Sequence, residues 1–332
     1  MKIGAYGEVM LRLNPPEYLT LEQTEMLRFI YTGTGVNILG NLARFDIESA
    51  LMTALPDNRL GDAALAKLRG LGIQTKYIVQ EGQHLGAYFA EMGYGPRPTE
   101  ITYQNRLNSS FSFAQASHYQ MSEFVAALDV IHICGISLSL TEATVETALA
   151  LAKKAHAAGK KVCFDFNFRP SLNQEPGKKA QMKARYEQIL PYCTLVFGSL
   201  RDLTELLEWE QGELSERSLI QSFLKHYAID WFAGTKRTTN SNEKCLSGYL
   251  VTQETAVETA SEPLVILDRV GAGDAYAAGI LLGYIEDWPI ERTVAFSVAN
   301  ARLAHTIQGD TPLTNRKQVE RLIKSPDVDL VR

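Results

Sequence analysis

The run DVIHICGISLSLTEATVETALALAKKAHAAGKKVCFDFNF, residues 129–168, carries one complete strand, helix and strand in succession. DVIHICGIS is an apolar run of the length of a buried strand. Ser139 and Glu142 have the spacing of a capping box, in which two side chains satisfy free backbone N–H groups at a helix start. ATVETALALAKKAHA then repeats apolar residues at helical spacing, Gly159 supplies a helix stop, and KKVCFDFNF returns to a strand. Downstream, TLVFGS (194–199) and AIDWFAG (228–234) read as further strands with a polar helical stretch between them. This alternation is the sequence form of βαβ units and predicts a mainly parallel sheet. Near the end, AGDAYAAGILLGYIE and IERTVAFSVANARLAHTI have helix-compatible periodicity, and their many small residues permit close packing.

The first half is less regular. Residues 9–32 and 84–113 mix alternating residues with Pro, Gly and Asn, which predicts a small β-rich flap made discontinuously from the two segments. NILGNLARF and GDAALAKLRGLG, between them, read as helices of the main body. KRTTNSNEK (236–244) reads as a hairpin loop and the most flexible point of the chain. Exposed edge strands in such a flap need covering, so a homo-oligomer formed through the flap is expected.

The chain has 332 residues, 45% hydrophobic and 21% charged, enough apolar material for a large core. A formal charge of -5 gives no global attraction for nucleic acid or an anionic membrane, so any anion site must be local. The four cysteines, Cys134, Cys163, Cys193 and Cys245, form neither a CxxC pair nor a disulfide framework, which suits a reducing compartment. Glu8 and Arg12 interrupt the apolar start, and no window approaches a membrane-spanning length, so a soluble, cytoplasmic protein is expected.

The strongest chemical signal is DRVGAGDAYAAG, residues 268–279. Gly271, Ala272 and Gly273 open a helix, and backbone N–H groups exposed there can hold phosphate oxygens as charge builds during transfer. Asp274 would stand beside that phosphate, able to take a proton from an attacking hydroxyl. The plainer reading makes it an ordinary first-turn acid.

D-x-x-G-A-G-D before a small-residue helix resembles the C-terminal signature of the ribokinase, or PfkB, family of carbohydrate kinases. TGTGVNILGNLARF (32–45) resembles the family's N-terminal glycine-rich sugar site, with Thr32 where one of two consecutive glycines is common. FDFNFRPSL (164–172) and AHTIQGD (304–310) are most similar to the 2-keto-3-deoxygluconate kinase branch. The matches span nearly the whole chain in consistent order. The resemblance implies one ribokinase-like domain over 1–332, a three-layer α/β/α sandwich with a small β lid. ATP and Mg²⁺ would be used to phosphorylate the primary hydroxyl of a sugar acid, with 2-keto-3-deoxygluconate favoured. Fructokinase and 5-keto-2-deoxygluconate kinase are the enzymatic alternatives, and a catalytically silent sugar-binding regulator is the alternative of another class.

By the same resemblance Gly33, Thr34 and Asn37 line the sugar pocket, although Asn37 is equally a good helix cap. Tyr88, Tyr103 and Arg106 are flap residues that would close over the substrate, with Gln104 a competitor for the place of Tyr103. Asn167 would approach phosphate and Arg169 the carboxylate; strand tyrosines and lone arginines are otherwise packing and surface. Ser199 and Asp202 stand where many relatives carry Asn-x-x-Glu, associated with Mg²⁺; Asp202 could act through water or simply favour a helix N-terminus. Gly234, Thr235 and Lys236 resemble a nucleotide-binding turn, and Asn300 lies on a helix bordering the base pocket in relatives. Lys236 is otherwise a solvated charge. A Walker loop, the HRD and DFG set of protein kinases and a zinc-type HExxH are all absent.

Overall fold

The computed structural model describes residues 1–240 and 243–325. Among them, an 11-stranded mixed sheet runs in the order Ala256–Glu258, Glu243–Thr252, Trp231–Asn240, Leu195–Phe197, Lys161–Asp165, Val130–Cys134, Ile3–Tyr6, Ser49–Leu55 and Ile73–Gln74, with two short strands off this path. From Trp231–Asn240 to Ile73–Gln74 neighbours are parallel; register is set by pairs such as Ile3↔Val130, Ile3↔Ser49 and Cys163↔Leu195. The central strands bury both faces, because helices cover each side. Ile131, Ile133 and Phe164 join one core with Phe124, Leu151 and Tyr186. Val130, Cys163 and Leu195 point the other way, toward Leu39, Ile280 and Val294. Three layers follow from that alternation. All four cysteines are buried and free, and no helix among the described residues is long and apolar enough to cross a membrane.

A separate 4-stranded sheet has the order Arg28–Thr32, Met10–Asn14, Gly86–Glu91 and Glu100–Gln104. Met10 pairs with Thr32 antiparallel and with Gly86 in parallel, and Tyr88 faces Tyr103 across the last pair. This sheet is the lid. Its strands leave the main sheet just after Tyr6 and re-enter at the Thr34–Arg44 helix, so the lid is tied to the ends of the central strands.

Two local expectations change. The capping box belongs to Thr141 and Thr144, which bond each other's backbone N–H at 3.1 and 3.3 Å, instead of Ser139 and Glu142. A single 3₁₀ turn, Gly135–Leu138, intervenes after the strand and delays the helix to Glu142–Ala157; Gly159 then turns left-handed at φ 68°, as its position requires. The predicted hairpin at 236–244 is present, but most of the segment is strand instead of loop, since antiparallel pairing continues out to Asn240↔Glu243. Thr238 and Thr239 are β-branched and favour an extended ladder despite their polarity. Ser241 and Asn242, the remainder of that loop, lie outside the described residues.

Candidate active site

The carboxyl ends of the parallel strands and the inner face of the lid enclose a cavity of about 740 Å³. Ligands in open α/β sheets gather at this end because loops there converge without breaking the ladder. The Ala272–Ile285 helix enters it through Gly271, a left-handed residue at φ 81°. A Cβ on Gly271 would lie 1.7 Å from the Asp310 carbonyl oxygen, so only glycine allows this approach. The first intrahelical bond runs from Ala275 N–H to Gly271 O at 2.9 Å. The N–H groups of residues 272–274 therefore have no partner within the helix and stand at its positive end.

Asp274 lies in this first turn, and its Oδ2 accepts a 2.7 Å hydrogen bond from Asn37 Nδ2. Asn37 is not a cap. Gly33 occupies that position, with its Cα packed so closely on Glu8 that a Cβ would be 2.2 Å from Glu8 O, and the helix begins at Thr34. Although Asp274 is partly open to the cavity, its surroundings push the carboxyl up to about 8. Burial is the main cause; the Asn37 hydrogen bond opposes it, Asp165 and Asp310 add like-charge repulsion, and Arg169 pulls the other way. Asp165 is itself pushed up to about 7 by burial, opposed by Arg169 and reinforced by Asp202.

Gly33, Thr34, Tyr88, Tyr103, Arg106 and Arg169 all line the cavity. Gln104 does not; strand alternation points Tyr103 inward, where its ring lies 5.9 Å from that of Tyr88 and 4.7 Å from the Arg106 guanidinium. Arg106 is not a free fork. Its Nε donates to Glu8 Oε2 at 3.1 Å and its Nη2 to Glu8 Oε1, while the buried Nη1 has no partner. Arg169 is exposed to the cavity, and no described carboxylate lies within 4.0 Å of it.

Asn167, Thr235, Gly271 and Gly273 share the same cavity. Asn167 holds a positive φ of 39°, anchored by its N–H on Asp165 Oδ1 at 3.1 Å, and its buried Oδ1 has no partner. Six predicted residues do not line the cavity. Ser199 and Asp202 bond each other, backbone N–H and hydroxyl both donating to Asp202 Oδ2 at 2.7 Å. Gly234 packs against Tyr249 and Gly198. Lys236 is held by Glu216 and Glu258 at 2.9 and 3.1 Å. Asn300 is fully buried, donating to Asn41 Oδ1 and Ala275 O at 2.7 Å. Ala272 contributes backbone only, its side chain being buried.

Sequence reasoning missed Glu8, Arg12, Thr32, Asp310, Arg237 and Arg269. Arg237 and Arg269 line the cavity without a carboxylate partner among the described residues, and burial together with Arg269 lowers the pKa of Arg237. A charge interrupting an apolar strand pattern, as Glu8 and Arg12 do, signals a buried partner. Arg237 was concealed in the segment read as a loop.

Fold, glycine turn, carboxylate and lid together define a carbohydrate kinase, and the whole-chain comparison agrees: the pfkB family carbohydrate kinase model matches residues 2–316. The chain belongs to that family and is an ATP-dependent phosphotransferase acting on a carbohydrate hydroxyl. Among similar structures, one from Enterococcus faecalis, provisionally described as a 2-keto-3-deoxygluconate kinase, is 55% identical; the match covers 100% of this chain and 99% of that one, with a TM-score of 0.97. The 2-dehydro-3-deoxygluconokinase of Thermotoga maritima is 26% identical over 98% of this chain and 99% of its own, with a TM-score of 0.91. The 2-dehydro-3-deoxygalactonokinase of Haloferax volcanii is 27% identical, covering 100% of this chain and 99% of the relative.

Proposed function

We propose that this kinase transfers the γ-phosphoryl group of ATP to the primary hydroxyl of 2-keto-3-deoxygluconate, with Asp274 as the base. The observation that carries this reading is Asp274 held by Asn37 in one cavity with the glycine turn and with two arginines, Arg106 and Arg169. In the proposed reaction the hydroxyl proton passes to the Asp274 carboxylate as the hydroxyl oxygen forms its bond to phosphorus and the bond to ADP breaks. The free N–H groups at Gly271–Gly273 receive the charge that builds on the phosphoryl oxygens. Arg169, and the unpaired Nη1 of Arg106, supply donors for the sugar carboxylate. Arg237 and Arg269 supply positive charge for the ATP phosphates. The similar proteins named for keto-deoxy acids of six carbons favour an acid over a neutral ketose.

Mg²⁺ would enter with ATP, neutralising phosphate charge. Mg²⁺ usually keeps several waters and is held largely through phosphate oxygens. Asp202, engaged by Ser199, fits a contact through water. Lid edges exposing Phe29, Met26 and Leu27 support a homo-oligomer through the lid; light scattering showing only monomer at micromolar concentration would remove that part.

The test is an ATP-consumption assay on a panel holding 2-keto-3-deoxygluconate, its C4 epimer, 5-keto-2-deoxygluconate and fructose. Highest kcat/KM on a 2-keto-3-deoxy acid is expected. Preference for fructose would move the assignment to a fructokinase, and no turnover on any sugar would favour a silent sugar-binding protein.

A further inference from the structure

Three of the four lid strands reach the same buried carboxylate. Arg12, Thr32 and the hydroxyl of Tyr88, one residue from each of the strands Met10–Asn14, Arg28–Thr32 and Gly86–Glu91, all donate to Asp310, Thr32 at 2.8 Å. Arg12 is 1% exposed and Asp310 3%. The second carboxylate beside Arg12 is Asp268, whose Oδ2 takes a bond from Arg12 Nη2 at 2.9 Å and from Gly309 N–H at 3.1 Å. Asp268 Oδ1 accepts from Val270 N–H at 3.1 Å, at the start of the glycine turn. Buried charges in such a cluster persist only when donors satisfy their lone pairs, and here each has several.

The hub continues toward the base. The backbone carbonyl of Asp310 is the surface on which Gly271 rests. Its neighbour Thr311 donates to Asn37 Oδ1 at 3.0 Å, and the Thr32 hydroxyl lies 3.2 Å from the same oxygen. A threonine hydroxyl has one proton, so Thr32 shares its proton between Asp310 at 2.8 Å and the Asn37 oxygen at 3.2 Å, while Thr311 donates its own. With its oxygen facing these donors, the Asn37 amide turns its NH₂ the other way, where it meets Asp274.

We propose that Asp310 is a positioning residue that couples the seating of the lid to the alignment of Asp274. Its carboxylate gathers three lid strands, its backbone seats the glycine turn, and Thr32 and Thr311 orient the Asn37 amide that holds the base. The inference rests on Asp274 being that base. A lid displaced from Asp310 carries Thr32 away from the Asn37 oxygen and leaves Thr311 to hold it, so the amide is held less firmly and proton acceptance is best aligned when the lid is seated.

The test compares Thr32→Val, Thr32→Ser, Asp310→Asn and Asp274→Asn, using ATP and whichever panel sugar the wild type turns over fastest. Thr32→Val keeps volume and β-branching but removes the hydroxyl; a fall in kcat of about 10-fold is expected, with KM for ATP and melting temperature nearly unchanged, and Thr32→Ser should restore it. Asp310→Asn should lower kcat by roughly 100-fold. It should also move the acid limb of the rate profile to lower pH. The groups facing Asp274 are Asn37, Asp165, Asp310, Arg169 and Cys134, and removing the Asp310 charge removes repulsion that raises the Asp274 pKa. If Asp310→Asn does not fold, the Thr32 pair decides. Wild-type kcat in Thr32→Val, a loss that serine does not restore, or losses that simply follow melting temperature would each overturn the coupling. Near-normal turnover in Asp274→Asn overturns the base assignment instead, so the two failures are distinguishable.

Discussion

The two ends of the cavity treat charge in opposite ways. On the lid side, Arg106 is locked to Glu8 and Arg12 to Asp268 and Asp310, so these cations meet carboxylates inside the protein. Around the glycine turn, Arg237 and Arg269 line the cavity with no carboxylate partner among the described residues, beside N–H groups that the helix leaves unbonded. A closing lid must find one geometry, and buried ion pairs with satisfied donors can specify it. A polyphosphate brings its own charge, so the proposed ATP side calls for positive charge held in reserve. Arg169 stands between the two cases, since it is unpaired like the turn-side arginines yet is proposed to meet the sugar acid.

The largest test of this contrast is Asp274→Asn. Turnover should fall by roughly 10²–10⁴-fold while ATP and sugar still bind, because proton acceptance is lost and size is kept. In the wild type, kcat/KM should climb with pH and level off above about 8, where the carboxyl loses its proton. Stability should respond oppositely. A carboxyl whose pKa rises on folding contributes most below its unfolded value near 4, and that contribution is lost as pH rises through about 8. Asparagine escapes this loss, so its melting temperature should exceed the wild type's by roughly 2–6 °C at pH 9 and match it near pH 4. Equal melting curves at pH 9 would contradict the burial of an ionised Asp274.

Next in size is the choice of substrate. Arg169→Ala should lower kcat/KM for 2-keto-3-deoxygluconate relative to a neutral ketose by about 2–5 kcal/mol, roughly 30- to several-thousand-fold. Arg106→Ala should lower the same ratio through loss of the Nη1 donor and should in addition destabilise the fold, because it strands Glu8 as a buried unpaired carboxylate. A loss of about 3–5 kcal/mol in stability is expected, partly recovered by adding Glu8→Gln. An unchanged acid-to-neutral ratio in Arg169→Ala would favour the neutral-sugar alternative.

Legibility followed sequence distance. The strand and helix alternation, the glycine turn and the Thr34–Arg44 helix were readable because each depends on local periodicity or on one residue's backbone freedom. Asn37 and Asp274 are 237 positions apart and Arg12 and Asp310 are 298 apart, so no local pattern announces their bonds. Arg106 was recognised as a lid cation, but its partner was unreadable, since Glu8 registered only as a break in an apolar start. Asn300 carried a family position but not its burial, which depends on Asn41 and Thr314 packing around it.

The smallest predicted effect concerns two neighbours on one strand, Lys236 and Arg237. Successive side chains of a strand point to opposite faces, and here one face meets the Glu216 and Glu258 carboxylates while the other borders the cavity. Lys236 is 40% exposed, so its pairs are screened and contribute at most about 1 kcal/mol. Lys236→Ala should therefore leave KM for ATP within about twofold of wild type and barely change the melting temperature. Arg237→Ala removes an uncompensated cation from the proposed phosphate side; KM for ATP should rise roughly 3- to 10-fold, with the effect shrinking as salt screens the contact. The sugar KM should stay unchanged in both. If Lys236→Ala raised the KM for ATP and Arg237→Ala did not, the strand would present its opposite face to the nucleotide, and the contrast between a pre-paired lid side and an unpaired phosphate side would fail.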